Sequence, residues 1–237
     1  MFGLFDRHKS FSASGLLNRV TDRHSHILFG VDDGVRSLEE SLSVLSWLEG
    51  QGLKTLWLTP HVMEDVPNDT CSLQARFAEL QSAYKGNISL HLAAEYMIDN
   101  LFERRLEERD LLQMEDSRVL METSTWSSPY GLYDIIENVM KAGYRPLLAH
   151  PERYRYMEYN DYRRLSSMGV QLQLNIPSLA GVYGKRVRAV AGKLLAEGMY
   201  SEIGSDCHSL ASMMRAYDVK AFSQSEIEGI IRITENN

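Results

Sequence analysis

Only two cysteines, Cys71 and Cys207, occur in the 237 residues. That excludes a disulfide scaffold and suits a reducing, cytoplasmic setting. No apolar run approaches the roughly 18 residues that a spanning helix requires, and the N-terminus has no continuous apolar stretch of a secretory signal. Basic residues are the minority, with a net charge of −7. No Lys/Arg block interleaved with aromatics stands out, which argues against a nucleic-acid partner. Glycine-rich nucleotide loops of the GxGxxG or P-loop kind are missing as well. What is present is a 44% hydrophobic fraction, enough for one large α/β domain. Residues 1–20, which include the basic Arg7, His8, Lys9 and Arg19, read as an N-terminal extension, a short helix lying on the domain at 21–237. A peripheral contact with a partner or membrane surface is the lesser alternative for that extension.

The stretch Asp22-Arg23-His24-Ser25-His26 precedes the apolar Ile27-Leu28-Phe29 and reads as the end of a short buried strand. Side chains alternate along a strand, so His24 and His26 project from one face about 7 Å apart, within reach of one ion. From there strand and helix signals alternate. Ser37 with Glu40 forms a capping-box start for a helix stopped by Gly50 and Gly52. Strands are expected at 53–59, 88–94, 118–121, 145–149, 170–174 and 199–204. Helices are expected at 72–84, 100–112, 130–142, 161–168 and 185–197, with a docking helix at 227–233. Unbroken βα repetition argues for a parallel sheet covered by helices, open or closed into a barrel.

Nearly every strand ends in a polar or metal-binding residue: His24/His26, His61, Glu95, Glu122, His150, Asn175 and Asp206/His208. Strand ends converge in a βα barrel, where active sites collect. An open sheet would spread them over roughly 30 Å at strand spacings of about 4.8 Å. The expected fold is therefore a βα barrel. Individually these residues have ordinary structural readings, such as a turn cap at His150 or a helix cap at Asp206. Their shared position at strand ends favours a common site. His91 lies inside a strand and reads as structural. Imidazole and carboxylate without thiolate suit Mn, Fe or Zn, and so many donors imply two or three ions. Ions so held lower the pKa of a bridging water and neutralise a phosphoryl group, which points to phosphate-ester hydrolysis.

His24-Ser25-His26, Asp32-Asp33-Gly34, Glu39-Glu40-Ser41, Thr59-Pro60-His61, Glu95, Glu122, Ala149-His150-Pro151-Glu152-Arg153-Tyr154 and Ser205-Asp206-Cys207-His208 form an ordered series. It resembles the motif series of the polymerase-and-histidinol-phosphatase (PHP) superfamily, in its bacterial tyrosine-protein phosphatase branch of the CpsB/YwqE type. The resemblance implies a distorted seven-stranded (β/α)7 barrel with a trinuclear, manganese-type site. It implies one ion on His24, His26, Glu95 and Asp206, and a second on Glu95, Glu122 and His150. A third falls to His61, His208 and either Asp32 or Asp33. It further implies Arg153 as the phosphate-binding, catalytic arginine, attack by a metal-held hydroxide on phosphotyrosine, and no phosphoenzyme. The implied partner is a tyrosine kinase of capsular or exopolysaccharide biosynthesis with a Tyr-rich tail. Oligomers are compatible with it. The family's Gly-Arg-Pro-type stretch after Ser-Asp-x-His is replaced by Ser209-Leu210-Ala211-Ser212-Met213-Met214-Arg215, leaving Arg215 as the second candidate catalytic arginine.

A cysteine-dependent phosphatase needs Cys-x5-Arg, but that spacing from Cys71 and Cys207 reaches Phe77 and Met213. Two rival readings stand beside the tyrosine phosphatase: a small-molecule phosphatase of the histidinol-phosphate kind, and a metal-stabilised barrel that only binds.

Overall fold

Strands that are covered on both faces read as apolar runs, because helices pack on each side of a parallel sheet. A computed structural model of the protein, describing residues 8–235, arranges the chain in this way. The first half contains β1 (Thr21–Asp22), α1 (Leu38–Gly50), β2 (Thr55–Leu58), β3 (His61–Val62), α2 (Thr70–Ala83), β4 (Ser89–Leu92), β5 (Glu95–Met97) and α3 (Asn100–Glu108). Then come β6 (Arg118–Glu122), α4 (Leu132–Lys141), β7 (Arg145–Leu148), α5 (Tyr159–Ser167), β8 (Gln171–Asn175) and the short α6 (Ile176–Leu179). α7 (Lys185–Ala196), β9 (Glu202–Gly204), α8 (Leu210–Asp218) and α9 (Gln224–Glu235) complete the described order.

All strand pairs are parallel, in the orders β1-β2-β4 and β3-β5-β6-β7-β8-β9. The two groups are continuous in space. Pro60 has no N–H to give, and the ladder breaks between β2 and β3. Even so, Ala93 donates to the Leu58 carbonyl at 2.9 Å and Glu95 to that of Pro60 at 3.0 Å. The sheet also curls until its first and last strands meet. Arg23 N donates to Ile203 O at 3.0 Å, Asp206 N to His24 O at 2.8 Å, and His26 N to Cys207 O at 2.9 Å. The fold is a mixed α/β architecture built on a curled parallel sheet.

Helix faces supply the outer packing. In α4, Leu132, Ile135, Ile136 and Val139 are buried together, the i, i+3, i+4, i+7 spacing of an amphipathic helix. Several boundaries differ from expectation for local reasons. α2 begins two residues early because Asp69, not a residue nearer Ser72, caps it by accepting from Ser72 N at 2.8 Å. α3 stops at Glu108, not 112, because Arg109 turns left-handed at φ 58°. The capping box at α1 is half formed: Ser37 Oγ accepts from Glu40 N, but Glu40 accepts from Arg36 N. The helix at 210–218 was not expected from periodicity; Ser209 caps it.

Residues 1–7 of the expected extension lie outside the described residues. Its described remainder forms two short 3-10 helices, Ser12–Ser14 and Leu16–Asn18, where one short helix was expected. Phe11 is fully buried, its ring 4.8 Å from Tyr217 and 5.6 Å from Phe222. Lys9 and Phe222 exchange backbone hydrogen bonds. Removing a buried phenylalanine costs about 3–5 kcal/mol in lost burial and cavity formation. Phe11→Ala is therefore expected to lower the unfolding free energy by about that amount in urea denaturation; a change near zero would mean that this turn is a loose appendage.

Candidate metal centre

Nine side chains able to bind a cation converge at one end of the sheet; His61 and Glu95, expected to end strands, instead open β3 and β5. His24 and His26 lie just past β1, with their Nε2 atoms 3.0 Å apart. Glu95, fully buried at the start of β5, lies at the middle. Its Oε2 is 3.1 Å from His24 Nε2, 3.3 Å from His26 Nε2 and 3.1 Å from His61 Nδ1, while its Oε1 is 2.9 Å from His150 Nε2. Glu122 closes β6 and lies 3.2 Å from His61 and 3.8 Å from His150. Asp206 Oδ1 is 3.3 Å from His26 Nε2 and 3.6 Å from His24 Nε2. Four groups have donor atoms close enough to share an ion: His24/His26/Asp206, His24/Glu95/His150, His61/Glu95/Glu122 and His26/Asp33/His61/His208.

Backbone geometry aims these side chains. His150 and Asp206 both follow strand ends in left-handed conformations, with φ of 35° and 50°, a costly arrangement for residues with a Cβ that clusters at functional sites. Two glycines make room. A Cβ on Gly34 would lie 2.1 Å from the His26 carbonyl oxygen, and one on Gly204 would lie 2.5 Å from the His24 Cβ. The glycine of Asp32-Asp33-Gly34 thus lets its loop close over the histidines.

The fit to metal rests on the donors themselves. Glu95 Oε2, His61 Nδ1 and His150 Nδ1 are buried without a hydrogen-bond partner among the described residues. A carboxylate oxygen facing three imidazole nitrogens, none bonded to it with good hydrogen-bond geometry, is an arrangement that divalent cations complete. The set contains oxygen and nitrogen donors only. A sequence model of the family described as "Capsular polysaccharide synthesis, CpsB/CapC" matches residues 20–223.

The chain belongs to the CpsB/CapC family. It is 32% identical over 222 residues to the tyrosine-protein phosphatase CpsB of Streptococcus pneumoniae, covering 85% of this chain and 90% of the relative. The tyrosine-protein phosphatase YwqE of Bacillus subtilis is 29% identical over 198 residues, covering 81% and 78%. Among solved structures, the fold matches those described as YwqE from Bacillus subtilis and CpsB from Streptococcus pneumoniae, "unique metal-dependent tyrosine phosphatases". That match has a TM-score of 0.76 at 24% identity and covers 92% of this chain and 88% of the other.

In this CpsB/CapC chain the two adjacent aspartates occupy different positions. Asp32 accepts from His26 Nδ1 at 2.8 Å, from His61 N at 3.0 Å and from Gly34 N at 2.9 Å. It orients an imidazole, as carboxylates behind metal-binding histidines do. Asp33 is exposed and lies 3.6 Å from His61 and 3.3 Å from His208. Gln173 does for His24 what Asp32 does for His26, with its Oε1 3.0 Å from His24 Nδ1. No sequence signal marked Gln173 beyond its inward place on β8. Asn175 donates to Asp206 Oδ2 at 3.1 Å and so braces a candidate ligand. Arg153 Nη1 donates to the same oxygen at 2.6 Å. Arg215 lies exposed on α8, outside the cluster. Cys207 is buried with its thiol against the Ser209 carbonyl, and His91 stacks on Trp57 away from the site.

Charge balance inside the cluster is strained without cations. Burial disfavours charge on His61, but Glu95 and Glu122 outweigh it and push the imidazole up to about 10. His24 and His26 are also raised: burial opposes their charge, and Glu95 and Asp206, joined by Asp32 at His26, overcome it. The burial that would raise Glu95 and Asp206 is outweighed by His24 and its neighbouring cations, which hold both carboxylates low. The metal-free cluster therefore carries protonated imidazoles near neutral pH, and these must deprotonate to bind a cation. Titrating chelator-stripped protein with MnCl2 near neutral pH is expected to release protons, read as a calorimetric enthalpy that changes with buffer ionisation. Affinity should rise with pH. Buffer-independent, pH-independent uptake would contradict these assignments.

Proposed function

We propose that this protein is a metal-dependent protein-tyrosine phosphatase acting on a tyrosine kinase of capsular or exopolysaccharide synthesis, one with a Tyr-rich tail, in the cytoplasm. The observation that carries the proposal is Glu95, a buried carboxylate shared by four imidazoles beneath a rim arginine. Relatives named tyrosine-protein phosphatases support the substrate class. In this reading the curled sheet is a seven-stranded barrel: β2 with β3, and β4 with β5, each count as one interrupted strand, and the bonds from residues 23–26 to 203–207 close the ring. The domain spans 21–237, with residues 1–20 as its N-terminal extension.

The proposed ligand sets are His24, His26, Glu95 and Asp206 for one ion, and Glu95, Glu122 and His150 for a second. His61, His208 and Asp33 hold a third, with Asp32 as the orienting carboxylate. Manganese is the favoured ion, iron and zinc the alternatives. When bound, the ions supply Lewis acidity to the phosphoryl oxygens and an activated water. The chain's own residues do the rest. Asp32 and Gln173 keep the Nε2 atoms of His26 and His24 directed inward by engaging their Nδ1 atoms. Asn175 and Arg153 hold Asp206 from its outer side. A guanidinium has five N–H donors, and Arg153 spends one on Asp206, so its fork can also take phosphate oxygens bidentately.

Manganese-loaded protein is expected to hydrolyse p-nitrophenyl phosphate and phosphotyrosine peptides and to stop on chelation. Turnover confined to histidinol phosphate would identify a small-molecule phosphatase, and metal binding without turnover a binding subunit. Arg153→Ala should retain metal and lose about 100-fold in kcat/KM, the scale of one removed charge-stabilising donor. Arg215→Ala, changed at an exposed site, should lose less than about threefold, within ordinary surface effects. Equal losses would give Arg215 the second phosphate contact.

A further inference from the structure

Beside the cluster, the turn at residues 181–184 leaves the end of α6 and presents Tyr183 to the rim. Gly181 and Gly184 bracket it with φ of 85° and 90°, a left-handed backbone that glycine adopts without strain. The turn belongs to the same end of the sheet as the cluster, because α6 continues directly from Asn175 at the end of β8. Tyr183 leans back over the site: its ring centroid lies 4.6 Å from the Arg153 guanidinium carbon. Its hydroxyl lies beside the Asn175 side chain. Arg153 and Asn175 both bond Asp206, so Tyr183 is one contact removed from a candidate ligand. The ring remains 38% exposed and its neighbour Val182 56% exposed. Burial pushes the phenol up to about 12, so it stays neutral and serves as an apolar surface, not a base.

We infer that Tyr183 is a specificity-determining residue, its ring the wall against which the aryl ring of a phosphotyrosyl substrate packs while Arg153 takes phosphate oxygens. The inference rests on the phosphatase reading above. For phosphorus to reach the buried cluster, an aryl phosphate must carry its ring past the rim, where Tyr183 stands. A phosphoserine or other alkyl ester has no ring to place there. Aromatic rings pair offset or edge-on, and a ring already stacked on Arg153 keeps its orientation, so the wall is formed before substrate arrives. Contact area at the rim then adds a preference in binding to the better leaving group that a phenolate already gives an aryl phosphate in the chemical step.

The test uses manganese-loaded full-length protein, with p-nitrophenyl phosphate turnover inhibited by phenylphosphonate or by methylphosphonate. Tyr183→Ala is expected to raise the inhibition constant of phenylphosphonate about tenfold, the upper end of what one aromatic contact contributes, and to leave that of methylphosphonate within about twofold. Tyr183→Phe should behave as the wild type, and metal content should be unchanged in both variants. If both phosphonates weaken equally in Tyr183→Ala, the ring acts only by positioning Arg153 and the wall is refuted. No change for either phosphonate refutes it as well. Absence of wild-type turnover would sink the phosphatase reading, and this one with it.

Discussion

A carboxylate sealed from water at the centre of four imidazoles is the constraint around which this protein is built. Burying an isolated charge costs several kcal/mol even after the protein relaxes. Glu95 has no exposure at all, so opposite charge must surround it. Without metal that charge is protons held on His24, His26 and His61 above their ordinary range. Divalent ions at the proposed positions would replace those protons and satisfy the same carboxylate. The surrounding backbone is shaped to this end, through left-handed turns at His150 and Asp206 and glycines where a Cβ would strike a histidine.

The opposite side of each candidate ligand explains why the arrangement is specific. His24 and His26 each have one ring nitrogen engaged, by Gln173 and Asp32, and the other turned inward. Asp206 is gripped from outside by Arg153 and Asn175. These supports come from strands and loops far apart in sequence, brought together only because the sheet curls until the segment after β1 bonds to the segment around β9. Curling the sheet and building the site are the same event. The arginine that braces Asp206 is also partly exposed to solvent.

Much of this was legible in the chain because the site lies at strand ends, and strand ends are marked by where apolar runs stop. The histidines and acids at 24, 26, 61, 95, 122, 150, 206 and 208 were all visible on that basis, and they do converge. The pair Asp32 and Asp33 could not be separated by pattern, since both carry the same group; only the direction of the loop turns one toward His26 Nδ1 and the other toward His208. Gln173 and Tyr183 carried no signal, being an ordinary strand residue and an ordinary loop aromatic until the sheet curls. Boundaries slipped where a cap or a left-handed residue decided them, as at Asp69 and Arg109. The burial of Phe11 has no counterpart in the pattern, because the apolar residues around it are too scattered to form a periodic face.

The most direct test of the central role of Glu95 is metal stoichiometry in Glu95→Gln, measured by elemental analysis on protein whose folded state is verified by circular dichroism. The amide keeps the shape of the side chain but removes the charge shared by two ligand sets. Loss of more than one ion per chain, together with loss of phosphatase turnover, is the predicted result. Retention of the wild-type metal content would contradict the account, because the carboxylate at the centre of the cluster would then hold nothing in place.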